Sequence, residues 1–122
     1  MFKKLYAFCL LVEDYETSLS FYKDTLGLEL NSSDTKYADF KLGETLLAIF
    51  QKDEAISMFP TKYMNSGGGS VIAFPVENVE EACEELKQKG IKIFEGPKQV
   101  PWGQTVAYFK DPDNNILEIT NN

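Results

Sequence analysis

Leu5-Tyr6-Ala7-Phe8-Cys9-Leu10-Leu11-Val12-Glu13-Asp14 runs a short apolar stretch into an acidic residue able to cap a helix. Ser70-Val71-Ile72-Ala73-Phe74-Pro75-Val76-Glu77-Asn78 repeats that arrangement, with Val76 answering Val12 at a shift of 64 positions. Both apolar stretches read as buried strands. A helix from Asp14 to about residue 26 follows the first, with Tyr15, Leu19, Tyr22 and Leu26 on one face, and Gly27 stands where a helix ends. Asn78 opens the second helix, with Glu81 in capping-box position. Val79, Ala82, Cys83 and Leu86 form its apolar face and Gly90 closes it. Strands are expected over 28–31, 37–42 and 45–51 in the first half, with Gly43-Glu44 as a tight hairpin. In the second half they are expected over 91–94, 104–110 and 116–120.

Leu46-Leu47-Ala48-Ile49 is matched by Ile116-Leu117-Glu118-Ile119, so the last strands of the two halves correspond as well as the first. The chain reads as an α+β protein of tandem βαβββ modules, 1–51 and 70–122, joined by a connecting loop, 52–69, within one compact domain. Such modules lay their helices on one side of a curved mixed sheet and leave a concave cleft on the other. Strand alternation supports this, because successive side chains point to opposite faces. One parity carries Phe8, Leu10, Val12, Leu47 and Ile49, or Ile72, Phe74, Val76, Leu117 and Ile119. The other carries the small residues Ala7, Cys9 and Ala48, or Val71, Ala73 and Glu118. Bulky residues belong under the helices, and a face of small ones leaves volume for a ligand.

Composition narrows the chemistry. Among 122 residues, 12 are basic and 19 acidic, a net charge of −7 that lacks the basic footprint of a nucleic-acid binder and disfavours anionic membranes. No apolar run approaches membrane-spanning length, and the first apolar stretch lacks a cleavage site, so the expected location is cytoplasmic. There is no histidine. That removes Ser-His-Asp and Cys-His catalysis, His-bound zinc and facial-triad iron. Cys9 and Cys83 form no CxxC pair, and Cys9 without an activating histidine reads as a small core thiol. Gly67-Gly68-Gly69 is followed by no Gly-Lys-Ser/Thr, so it reads as linker rather than phosphate loop. Asp111-Pro112-Asp113-Asn114-Asn115 is too short for a calcium loop and reads as a turn.

The helix segment Ser18-Leu19-Ser20-Phe21-Tyr22 with Leu26-Gly27, and the segment Pro101-Trp102-Gly103 through Tyr108-Phe109-Lys110-Asp111-Pro112-Asp113 to Glu118, carry a family likeness. Together they resemble the glyoxalase/bleomycin-resistance/dioxygenase superfamily, the vicinal oxygen chelate fold, over essentially the whole chain. Asn114 stands where that family usually has glycine, and Asn tolerates the positive φ of such a turn. The resemblance implies metal-ligand positions at Ala7, Ala48, Val71 and Glu118. Three of these have no donor atom, and one carboxylate does not hold a divalent ion against water. Metal-free relatives, the bleomycin-resistance proteins, are acidic dimers that sequester a bulky cationic antibiotic.

The leading expectation is therefore a metal-independent small-molecule-binding protein with no cofactor and no catalytic residue; Ala7, Ala48 and Val71 at three of the four family ligand positions lean against an enzyme and leave that question open. A small hydrophobic or cationic molecule is its partner, nucleic acid and membranes are not, and the resemblance implies a homodimer. The ligand-binding set comprises Ala7, Cys9, Ala48, Phe50 and Val71 on the small-residue face, with Trp102 at the rim and Glu118 as the anion. Phe59 and Tyr63, in the connecting segment beside Met58 and Met64, serve either as a lid over the cleft or as a plug holding the linker down. The rival is a metal-dependent lyase, isomerase or dioxygenase with non-standard ligands, which needs Asp39, Glu44 or Glu95 to converge on Glu118. A third reading packs the concave face against another protein.

Overall fold

The computed structural model describes residues 1–64 and 67–121. Residues 65 and 66 of the connecting loop and residue 122 of the second module lie outside the described residues. The chain divides into two units, Met1–Asn65 and Ser66–Asn122.

The first unit runs β1 (Ala7–Val12), α1 (Tyr15–Leu19), a π-helical turn (Ser20–Thr25), β2 (Glu29–Asp34), β3 (Tyr37–Leu42) and β4 (Thr45–Gln51). The sheet order is β1-β4-β3-β2, with β1 parallel to β4 and the remaining pairs antiparallel. Asp14 caps α1 as expected, its Oδ1 accepting from the Thr17 N–H at 3.2 Å. The helix does not stay α-helical to residue 26. From Ser20 onward the Leu26 N–H reaches back to the Phe21 carbonyl at 2.9 Å, the wider closure of a π turn. Gly27 then takes φ +72°, and the Leu28 N–H bonds the Tyr22 carbonyl at 3.0 Å. Beneath the helix lie Leu10, Val12, Ala38, Phe40, Leu47 and Ile49, all buried, with Tyr22 packed 6.2 Å from the Phe40 ring. Phe8 shares their parity but remains 38% exposed, as it lies near the start of an edge strand.

The second unit runs β5 (Val71–Pro75), α2 (Val79–Gln88), β6 (Glu95–Gln99), β7 (Thr105–Lys110) and β8 (Ile116–Thr120). Its order, β5-β8-β7-β6, repeats the first, again with one parallel pair between its outer strand and its last. Asn78 accepts from the Glu81 N–H at 3.0 Å. The Ile91 N–H returns to the Leu86 carbonyl at 3.0 Å across Gly90, whose φ is +86°. Val79 and Cys83 on α2 are buried, as are Ala107, Phe109, Leu117 and Ile119 on the same side of the sheet.

Some expected boundaries move. The first strand begins at Ala7, since Leu5 and Tyr6 are exposed and only their carbonyls engage β4. The strand expected over 28–31 extends over Glu29–Asp34 with a register shift between Leu30 and Ser32. No strand forms over 91–94; the pairing segment is Glu95–Gln99. Ile91 is held by the helix C-terminus, and Gly96-Pro97 stands within β6 at its register shift, where an edge strand tolerates a residue lacking an N–H. The 111–115 segment is a turn. Asp111 Oδ1 accepts from the N–H groups of Asp113 and Asn115 at 2.9 and 2.8 Å, and Asn114 takes φ +65°. Between β4 and β5 the described residues include the 3-10 turns Ala55–Ser57 and Thr61–Tyr63.

Candidate functional site

The open face of each sheet, opposite its helix, is set by strand register. In the first module one row crosses the sheet as Cys9, Ala48, Asp39 and Ser32, and a neighbouring row as Leu11, Phe50, Tyr37 and Asp34. Ala7 lies two residues from Cys9 on the same face and is half-buried. Cys9 is exposed, while the desolvation imposed by its surroundings pushes its thiol pKa up. That thiol is thus protonated and a poor nucleophile at neutral pH.

Asp39 is the residue that composition alone undervalues. It is only 4% exposed, yet it carries a carboxylate on this face. Asn31 Nδ2 and Ser32 Oγ both donate to its Oδ1 at 2.9 Å, and the Tyr37 hydroxyl donates to its Oδ2 at 2.7 Å. The register shift in β2 brings Asn31 and Ser32 together beside it. Burial raises the Asp39 pKa, but the hydrogen bonds from Tyr37, Asn31 and Ser32 outweigh that and leave it lowered. Tyr37 is driven the other way, above its ordinary value, first by burial and then by donating to Asp39. Its ring stands edge-on to Phe50, with centroids 5.8 Å apart at 80°.

In the second module the corresponding row is Ala73, Glu118, Tyr108 and Glu95. Glu118 is half-buried, and Tyr108 donates a hydrogen bond to it, which is the main reason the phenol pKa is raised. The partner of Glu118 is thus a tyrosine. Phe94 stacks obliquely near Tyr108 at 6.2 Å, and Lys110 Nζ sits 5.3 Å from the Phe94 ring. Val71 is exposed on the outer strand β5.

Trp102 is 74% exposed, with its indole N–H donating to Gln104 Oε1 at 2.9 Å. It belongs to the loop, not the core. Phe59 is half-buried and Tyr63 exposed, with Lys62 Nζ 5.1 Å from the Tyr63 ring. Within the first unit, Cys9, Ala48 and Phe50 share the open face with Asp39 and Tyr37. From the sequence Asp39 reads only as a candidate displaced metal ligand. The signal for it was parity: Asp39 sits two residues from Tyr37 and in register with Ala48.

The donor set does not suit a divalent ion. Ala7, Ala48 and Val71 offer no lone pair, and among the described residues no three His, Cys, Asp or Glu side chains group as a metal ion requires.

The model of the Glyoxalase/Bleomycin resistance protein/Dioxygenase superfamily matches residues 4–119. The chain belongs to this superfamily. Within it, the chain is 32% identical to the uncharacterised protein YraH of Bacillus subtilis, over 95% of this chain and 96% of that one. It is 30% identical to a probable lactoylglutathione lyase of Synechocystis, over 88% of this chain and 87% of the relative. The crystal structure of a glyoxalase/bleomycin resistance protein/dioxygenase from Nocardioides superposes with a TM-score of 0.84 at 23% identity. That match covers 99% of this chain and 84% of the other, and it establishes the superfamily's α+β fold. Among the described residues no helix is long and apolar enough to cross a membrane.

Proposed function

We propose that this superfamily member binds a small apolar or cationic molecule without a metal and without transforming it, in the manner of antibiotic sequestration. The single observation that carries this reading is the chemistry of the four metal-ligand positions, where Ala7, Ala48 and Val71 leave Glu118 alone. A lone carboxylate already engaged by Tyr108 is a poor ligand for a divalent ion. The absence of histidine removes the usual general base for the alternative chemistry. Exposed Cys9 on the same face as half-buried Phe50 and Tyr37 supports an apolar surface suited to a ligand's hydrocarbon. Exposed Trp102 provides a fluorescent reporter on a loop of the second unit. A cytoplasmic homodimer is the accompanying expectation, checked by sedimentation of the purified protein.

The second reading, a metal-dependent lyase or isomerase, draws on the likeness to the probable lactoylglutathione lyase of Synechocystis. Elemental analysis of protein purified without chelator separates the two. Metal-free binding predicts less than a tenth of an equivalent of any transition metal, together with a thermal shift from at least one compound in a panel of hydrophobic cations and neutral metabolites. One equivalent of tightly held metal overturns the proposal, as does a panel with no hit by thermal shift or Trp102 fluorescence.

A further inference from the structure

Asp39 holds a buried negative charge whose recorded partners are all neutral. Asn31, Ser32 and Tyr37 donate to it, and none of the ion pairs found among the described residues includes it. Buried carboxylates are ordinarily matched by a cation, because hydrogen bonds orient and stabilise a charge without cancelling its field. The field of Asp39 therefore persists on the open face of the first module.

One aromatic ring, Tyr37, is hydrogen-bonded to it, and a second, Phe50, packs on Tyr37. Tyr37 commits its only O–H to Asp39, so its oxygen has no proton left for a ligand and its ring is made more electron-rich by the carboxylate it is bonded to. Phe50 meets that ring edge-on, and both side chains are only half-buried. In the adjoining row Ala48 is buried at 2% exposure while Cys9 is exposed, so the accessible surface beside the rings lies on the Cys9 side. Ring faces backed by an anion attract a large, weakly hydrated cation. They suit a small metal ion badly, since the carboxylate oxygens are already engaged and a metal ion demands several oxygens at close range.

We propose that Tyr37 and Phe50, backed by Asp39, form a binding site for the quaternary or alkylated ammonium group of an otherwise apolar ligand. The inference rests on the metal-free binding reading and specifies the ligand's charged group. Benzyltrimethylammonium is the probe, and its uncharged carbon isostere, neopentylbenzene, is the control. Both are titrated into the full chain while the Tyr37 and Phe50 ring resonances are followed by NMR. The cation is expected to shift both rings and to bind roughly tenfold more tightly than the isostere. D39N weakens the cation about tenfold and leaves the isostere unchanged. Y37F, which keeps the ring but breaks its tie to Asp39, weakens the cation about threefold, and F50L weakens it about tenfold. Should D39N fail to fold by circular dichroism, Y37F and F50L carry the test.

Equal affinity for cation and isostere overturns the site, as do cation affinities within twofold of wild type in D39N and F50L. In either case a panel compound that still binds leaves the metal-free binding reading standing. Failure of both probes and of the entire panel removes the two together.

Discussion

On the open face of the first module the row Cys9, Ala48, Asp39 crosses β1, β4 and β3, and in the second the matching row is Ala73, Glu118, Tyr108 on β5, β8 and β7. In each an acid stands beside a tyrosine, Asp39 on β3 and Glu118 on β8, and the second row adds Glu95 on β6. Glu118 stands on the last strand, faced across the ladder by Tyr108. Asp39 stands on the third strand, with Tyr37 two residues away on the same face and two further donors supplied by β2. The next row diverges more. Phe50 and Tyr37 in the first module answer to Thr120 and Val106 in the second, both buried. A duplicated scaffold has therefore kept its register, and among the acids of the two open-face rows Asp39 alone is deeply buried, whereas Glu118 is half-buried.

The scaffold itself is where the two copies ought to agree, and there the largest effects are expected. Phe40 and Phe109 occupy matching positions and are both fully buried. Phe40→Ala and Phe109→Ala should each cost about 3–5 kcal/mol in urea denaturation. A difference between them exceeding the spread of such substitutions breaks the claimed equivalence.

The acids come next, and here the copies should part. Asp39→Ala strips three donors of their acceptor within a buried site and should cost about 2–3 kcal/mol. Glu118→Ala, at a half-buried position, should cost under about 1 kcal/mol by the same measurement. Similar costs for the two erase the distinction drawn between the rows.

Acid and alkaline unfolding sharpen the same contrast. The Asp39 pKa is lowered in the fold, so its contribution is fully present above the ordinary carboxylate value and is lost as pH falls through the folded value. Stability measured from pH 6 downward should fall less steeply in D39N than in wild type. Tyr37 and Tyr108 both have raised pKa values, so the stability they contribute is intact below the ordinary phenol value and fades as pH rises beyond it. Y37F should therefore flatten the alkaline limb. The smallest effects lie at the caps, where Asp14→Ala and Asn78→Ala should each cost about 1 kcal/mol.

Much of the fold was legible because its determinants are local. Asp14 and Asn78 cap through bonds three residues long, and Gly27, Gly43 and Gly90 all take positive φ where the chain reverses. Strand parity separated Leu47 and Ile49 from Ala48 with no knowledge of the sheet. What stayed hidden depends on partners distant in sequence. Ile91 and Ile93 alternate like a strand, but the pairing segment starts at Glu95, because the chain is still tied to α2 through Leu86. The burial of Asp39 depends on an irregularity in β2 that Asn31-Ser32-Ser33 does not announce. Trp102 could belong to core or loop by residue type, and only the fold decides for the loop.

Gly27 follows Asp14 by 13 positions, whereas Gly90 follows Asn78 by 12. The π-helical turn at Ser20–Thr25 is where the first module absorbs that extra residue. An insertion tucked into a widened helical turn leaves the strand before it and the strand after it undisturbed. Excising a single residue there ought to return the segment to ordinary α-helical winding with the sheet intact, so the coil behaves as a tolerant splice where the ladders do not.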